Sequence, residues 1–110
     1  MKIAERKKRV KALSGSLAKW KAIVAGTGAD NGPDNCPCCA IWFERYCDGC
    51  PIAEAVDQVG CKGTPYDVFI DTLKDSLDER KAAEAERDFL AGLLRIEKRK
   101  LRQEQARRLK

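Results

Sequence analysis

Cysteines are the residues of this chain whose type and spacing are suited to chemistry. Six of them occur in a 110-residue sequence that has no histidine, and all six lie between positions 36 and 61. Cys36 and Cys39 form one CxxC pair, Cys47 and Cys50 form a second, and Cys61 follows. Because two thiolates three residues apart can bind one ion from a tight turn, this spacing predicts a metal-binding knuckle.

Tetrahedral zinc without histidine needs four thiolates. We therefore expect one zinc ion per chain, bound by four members of the set Cys36, Cys39, Cys47, Cys50 and Cys61. Cys38, next to Cys39, is expected to point away from the ion. Two alternatives remain open. One is an iron–sulfur cluster, because Cys50-Pro51 is similar to the end of ferredoxin cluster motifs. The other is disulfides or reduced cysteines without metal.

The order of the cysteine motifs in this chain is similar to that in a group of other proteins. The motifs are Trp20, the first CxxC, Cys47-Asp48-Gly49-Cys50-Pro51-Ile52 and Cys61-Lys62-Gly63-Thr64-Pro65-Tyr66. Over about residues 17–70 the chain resembles a group of small cysteine-rich bacteriophage proteins with CxxC, CxxCP[IV] and CxGTPY motifs and no established activity. This resemblance implies a metal-stabilised phage accessory protein in the cytoplasm of an infected bacterium. It also favours a ligand set of Cys36, Cys39, Cys50 and Cys61.

The remaining sequence predicts a mostly α fold in which two helices flank the cysteine knuckle. Apolar residues recur at helical spacing in residues 1–25, which predicts an amphipathic N-terminal helix. No segment alternates between apolar and polar residues with period two, so no strand is predicted. Residues 26–63 form a loop and the cysteine-rich unit, with a helix over 51–59 that ends at Gly60. Thr64 and Pro65 begin one long helix over 64–110, since Gly92 is the only later glycine or proline.

The C-terminal helix carries leucines that a small knuckle is not expected to bury. We expect them to contact a second copy of the chain, most simply in a homodimer. A continuous coiled coil is not predicted, because the heptad pattern is short. The expected interface residues are Leu90, Leu93, Leu94 and Leu101.

Both ends of the chain are basic and its middle is acidic. The net charge is +7 over residues 1–25, −8 over 26–79 and +6 over 80–110. Clustered lysine and arginine bind phosphate backbones by displacing counterions, so the basic ends are candidate nucleic-acid contacts. Alternatively, these basic residues lie on solvated helix surfaces and neutralise the acidic middle of the chain. The candidate residues are Arg6, Lys7, Lys8, Arg9, Lys98, Arg99, Lys100 and Arg102.

Several functional classes are disfavoured. The chain has no histidine for acid–base or nucleophilic catalysis, and a closed site of four cysteines leaves no position for a reactive water. No segment approaches the roughly 18–20 apolar residues of a membrane span, and the N-terminus lacks a signal-peptide pattern. We expect a cytoplasmic, non-enzymatic protein that binds and modulates a host protein. The alternative is a nucleic-acid-binding protein that uses its basic terminal helices.

Overall fold

The computed structural model describes residues 1–57 and 61–109. About three-quarters of this part of the chain is helical and none of it forms a strand, which confirms the mostly α prediction. Short 3-10 turns occupy Gly32–Asn35 and Phe43–Arg45. The helices are α1 (Ile3–Ala25), α2 (Pro37–Trp42), α3 (Pro51–Val56), α4 (Pro65–Ile70) and α5 (Leu77–Arg108). The predicted helix end over 58–60 and the terminal residue 110 lie outside the described residues.

Helices α1 and α5 pack against each other in opposite directions. The N-terminal amine of Met1 lies 4.0 Å from a carboxylate oxygen of Glu104, and Arg9 bonds to Glu97. At the other end of α1, Val24 lies beside Ala83 in the wall of one cavity. One core cluster joins this pair to α2 and α3, and its largest members are Leu13, Leu17, Trp20, Trp42, Ile52, Leu90 and Leu94.

A buried ion pair fixes the register of this helix pair. The guanidinium of Arg9 donates to both carboxylate oxygens of Glu97, at 2.7 and 3.1 Å, although the residues are 88 positions apart. It also donates to Glu54 of α3 at 2.6 Å and to the Gly49 carbonyl at 3.0 Å. Burial alone would lower the pKa of Arg9, but the bonds to Glu97 and Glu54 raise it. Burial likewise opposes ionisation of Glu97, but Arg9 holds its pKa below the usual value.

The prediction of one helix over residues 64–110 is wrong. Helix α4 ends at Ile70 and α5 begins at Leu77, with Asp75 between them in the left-handed region at φ 63°. Ser76 caps α5, because its hydroxyl accepts a hydrogen bond from the Glu79 backbone N–H at 3.0 Å. Glu79 in turn accepts from the Asp75 backbone N–H at 3.2 Å. A serine followed three residues later by a glutamate is a capping-box sequence, so the start of α5 was visible in the sequence.

The leucine stripe of α5 is buried within its own chain. Leu90 and Leu94 belong to the core that α5 shares with α1, and Leu93 and Leu101 are half-buried. The expectation that the domain cannot cover these residues is therefore wrong, because it overlooked α1 as the covering element. Charged residues at positions 90 and 94 would disrupt this core rather than separate two subunits.

A glycine in the middle of α1 allows α2 to pack closely. A Cβ atom at Gly15 would lie 2.8 Å from Cγ and 3.2 Å from Cβ of Pro37, the first residue of α2. The proline ring is held in the first turn of a helix and has little freedom to move away. Gly15 therefore leaves room for the Pro37 ring, although glycine is a poor residue for a helix interior.

We predict that Gly15→Ala destabilises the protein although it raises helix propensity. The close contact with Pro37 outweighs the propensity gain, and overpacking of this kind typically costs about 1–3 kcal/mol. Gly92→Ala is the matched control, because its new Cβ meets only the flexible end of Arg95 at 3.8 Å. The control should stabilise the protein by up to about 1 kcal/mol. Urea unfolding of both variants measures the difference, and equal stabilisation would contradict the packing argument.

Candidate metal centre and basic end

All six cysteines line a single cavity of about 180 Å³. The five short elements that follow the long helix α1 bring them there. Cys36, Cys38 and Cys39 come from the start of α2, Cys47 and Cys50 from the turn before α3, and Cys61 from the segment before α4. Their thiols are all free. Trp20, Trp42, Tyr66 and Glu86 complete much of the wall.

The first CxxC is shaped by the N-terminus of α2. The Cys36 sulfur caps this helix and accepts the Cys39 backbone N–H at 3.4 Å. The thiols of Cys38 and Cys39 also donate to it, and together these bonds lower the pKa of Cys36 despite its burial. For the same reason the pKa of Cys39, a donor in this arrangement, is raised. The local backbone therefore favours a thiolate at Cys36, the form that binds metal.

The second CxxC lies in a tight turn with left-handed backbone at Tyr46, Cys47 and Gly49, whose φ angles are 55°, 64° and 90°. A Cβ atom at Gly49 would also lie 3.0 Å from the Trp42 indole nitrogen. Cys50 precedes Pro51 at the start of α3. A hydrogen bond from the Cys38 thiol, with help from backbone N–H groups of α3, lowers the pKa of Cys50 to about 7 against the effect of burial.

Cys38 lines the same cavity as the two CxxC pairs, whereas the sequence predicted that it would point away from a bound ion. It is buried, and hydrogen bonding with the thiols of Cys36 and Cys50 raises its pKa. The Ser16 hydroxyl donates to its sulfur at 3.4 Å. The sequence held a signal for this placement, since Cys38 lies four residues before the buried Trp42 and hence on the same helix face.

Cys61 approaches the cavity from the segment before α4. Burial raises its pKa to about 12, with further contributions from the charges of Cys36 and Glu86. Helix α4 begins at Pro65 as predicted, but the Thr64 hydroxyl donates to the Cys61 carbonyl instead of capping the helix. Cys61 therefore lies at the same cavity as Cys47, and both are candidate ligands.

An aromatic wall encloses one side of the cavity. Trp20 meets Phe69 edge to face at 4.9 Å and Tyr66 at 5.7 Å between ring centroids. The Tyr66 hydroxyl donates to Asp30 at 2.9 Å, and Lys19 lies 2.8 Å from the other oxygen of that carboxylate. These contacts attach the loop after α1 to α4 and thereby hold the cavity wall together.

Glu86 is a buried acid in this wall that the sequence analysis missed. It is 2% exposed, and its Oε2 atom has no hydrogen-bond partner among the described residues. Burial raises its pKa to about 7, against a hydrogen bond from the Tyr66 backbone N–H. The available signal was an acid three residues after Ala83 and four before Leu90, on the buried face of α5.

The donor set is suited to a metal that prefers thiolates. Within residues 1–57 and 61–109, no three cysteine, aspartate or glutamate side chains are positioned to hold a metal ion together. Hydrogen bonding among the protonated thiols raises the pKa of Cys38. Metal binding removes thiol protons and with them these bonds. Six sulfurs line one cavity, and the sulfur of Cys36 accepts an N–H from the helix that it caps. Such a donor set is suited to a soft or borderline ion such as zinc.

The predicted nucleic-acid contacts separate into two groups. Arg9 is buried in its ion pair, and Arg6 lies 3.6 Å from Glu97, so these two side chains already have intramolecular partners. Lys8 is half-buried beside Glu5 at 3.9 Å. The others are exposed, namely Lys7, Lys98, Arg99, Lys100 and Arg102. Because α1 and α5 are antiparallel, both basic runs lie at the same end of the molecule.

No protein-family model, curated protein or solved structure matches this chain. None of its described helices is long and apolar enough to cross a membrane.

Proposed function

We propose that this chain is a non-catalytic, zinc-stabilised helical protein that binds nucleic acid through its basic end, defined as residues 1–11 and 95–109. The observation that carries the proposal is the antiparallel pairing of α1 and α5, which brings these two runs together. They contain thirteen basic and three acidic side chains, a net charge of +10. Residues 12–94 contain eight basic and fourteen acidic side chains, a net charge of −6.

Two of the three acids of the basic end are buried, and the third, Glu5, is exposed beside Lys8. Glu97 and Glu104 are both buried. Glu97 is bound to Arg9, and Glu104 lies near the N-terminal amine and Arg107. Lysine and arginine without such partners displace counterions from a phosphate backbone, which supplies affinity with little dependence on base sequence. A duplex or single strand bound by its phosphates is therefore the ligand that this charge distribution suits best.

Zinc has a structural role in this proposal. Helices α2, α3 and α4 have six residues each, which is too short for stability on their own. Thiolate bonds from the starts of all three to one ion would fix them on the α1–α5 pair. An iron–sulfur cluster is the alternative occupant, and the cytoplasm of an infected bacterium is the proposed location.

We predict one tightly bound zinc per chain, whose removal unfolds the cysteine-rich region while the α1–α5 pair keeps part of its helicity. Structural zinc contributes about 10–16 kcal/mol of binding free energy in small zinc domains, and this energy supports folding. Elemental analysis and circular dichroism before and after chelation measure both effects. Visible charge-transfer absorption from iron, or unchanged stability in metal-free protein, would contradict the zinc prediction.

We predict binding to duplex DNA and single-stranded RNA that falls steeply with salt and varies little with sequence. Replacing Lys98, Arg99, Lys100 and Arg102 by glutamine should reduce the slope of log K against log salt by about 3–4, about one unit per lost phosphate contact. The matched control replaces four exposed lysines outside the basic end by glutamine, namely Lys21, Lys62, Lys74 and Lys81. Gel-shift titrations over a range of salt concentrations measure the slopes.

Equal losses in the two quadruple variants would show a general charge effect and contradict a site at the basic end. No shift at micromolar protein in low salt would remove the nucleic-acid proposal altogether.

A protein partner is the second candidate, because apolar side chains are exposed where α4 meets α5. Leu73 is 81% exposed, and Val68, Ile70 and Leu77 are each more than half exposed. Exposed apolar residues concentrated within ten positions are typical of a protein-binding surface. This corner, rather than the leucines at 90–101, is then the proposed contact with a host protein or a second copy of the chain. Absence of nucleic-acid binding would leave it as the functional surface.

A further inference from the structure

Glu86 is placed to do more than line the cavity. Its carboxylate comes from α5 and lines the same cavity as the six cysteines, which come from the segments between α1 and α4. Its Oε2 atom is buried and has no hydrogen-bond partner among the described residues. A buried carboxylate oxygen without a hydrogen bond is unfavourable, so a native fold retains one only where something else compensates it.

Among the described residues of the cavity wall, no basic side chain forms an ion pair with Glu86. Lys19 is the one basic residue among them, and its amine is bound to Asp30 at 2.8 Å and to the Gly32 carbonyl at 3.5 Å. Burial and the charge of Cys36 raise the pKa of Glu86, and the charge of Lys19 offsets this rise only in part. The unpartnered oxygen of Glu86 and the cysteine sulfurs thus line one cavity, and a cation bound there could draw them together as ligands.

We propose that Glu86 is a donor to the metal ion in this cavity, so that the site combines cysteine thiolates with one carboxylate. The proposal rests on the zinc site proposed above and changes its composition. Zinc accepts carboxylate oxygen as well as sulfur. With Glu86 as one ligand, a tetrahedral ion needs three thiolates, and three of the six cysteines remain outside the first coordination sphere. The ion then joins the cysteine-rich segment directly to α5.

Glu86→Gln tests this role with little change in shape. Glu84→Gln is the matched control, because Glu84 lies two residues earlier on α5 and pairs only with Arg80 on the surface at 3.8 Å. We expect Glu86→Gln to weaken zinc binding at least tenfold in chelator competition, while Glu84→Gln leaves it unchanged. Metal-free Glu86→Gln should be at least as thermally stable as metal-free wild type, since it loses a buried charge, and should gain less stability when zinc is added.

Cobalt and cadmium test the ligand set directly. In Co²⁺-loaded protein, Glu86→Gln should shift the ligand-field bands and leave the sulfur-to-cobalt charge-transfer intensity unchanged. The ¹¹³Cd resonance of the wild-type protein needs no variant, and it should fall in the range of mixed sulfur and oxygen ligands. A resonance typical of four thiolates, or zinc affinity unaltered in Glu86→Gln, would overturn the inference while leaving the zinc site intact. A wild-type protein that binds neither zinc nor cadmium would overturn both.

Discussion

The buried contact between Arg9 and Glu97 is the interaction on which the rest of the structure depends. It joins the first turns of α1 to the last third of α5 and so fixes their antiparallel register. The same guanidinium bonds to Glu54 and to the Gly49 carbonyl, which ties α3 and the second CxxC turn to the helix pair. Burying such charges is costly, and removing one partner leaves the other unpaired, at a typical cost of about 3–5 kcal/mol. The pair therefore selects one arrangement of the helices more than it adds net stability.

Both proposed sites follow from this register. One end of the helix pair collects the two basic runs, and its middle provides the apolar surface on which α2 and α3 rest through Trp42, Ile52 and Cys38. The cysteines are separated by up to 25 positions in sequence and come from segments too short to be stable alone. Their common cavity exists because these segments have a long helical surface to pack on. A metal at this cavity would strengthen an arrangement that packing has already begun to form.

The sequence was informative where the signal is local. The double CxxC located the cavity, and helix starts at Pro51 and Pro65 followed from proline at the first helical position. The break at Asp75 was also a local signal, since Ser76 and Glu79 form a capping box, but the absence of glycine and proline between positions 66 and 91 favoured a continuous helix. Long-range features were not predictable. Neither the burial of Arg9 against Glu97 nor the approach of Glu86 to the cysteines has a sequence signature beyond a charged residue on an apolar helix face.

A double-mutant cycle on Arg9→Met and Glu97→Gln tests the central claim most directly, because the two residues are in contact only if α1 and α5 are antiparallel in this register. Urea unfolding of the four proteins gives the coupling free energy, and contacting buried groups show about 0.5–3 kcal/mol. The exposed pair Arg80 and Glu84 on α5 provides the control cycle, with an expected coupling of about 0.3–0.5 kcal/mol. The account predicts a coupling of at least about 1 kcal/mol for the buried pair, which lies within that range. Independent effects of the two substitutions, with a coupling no larger than the control, would contradict it.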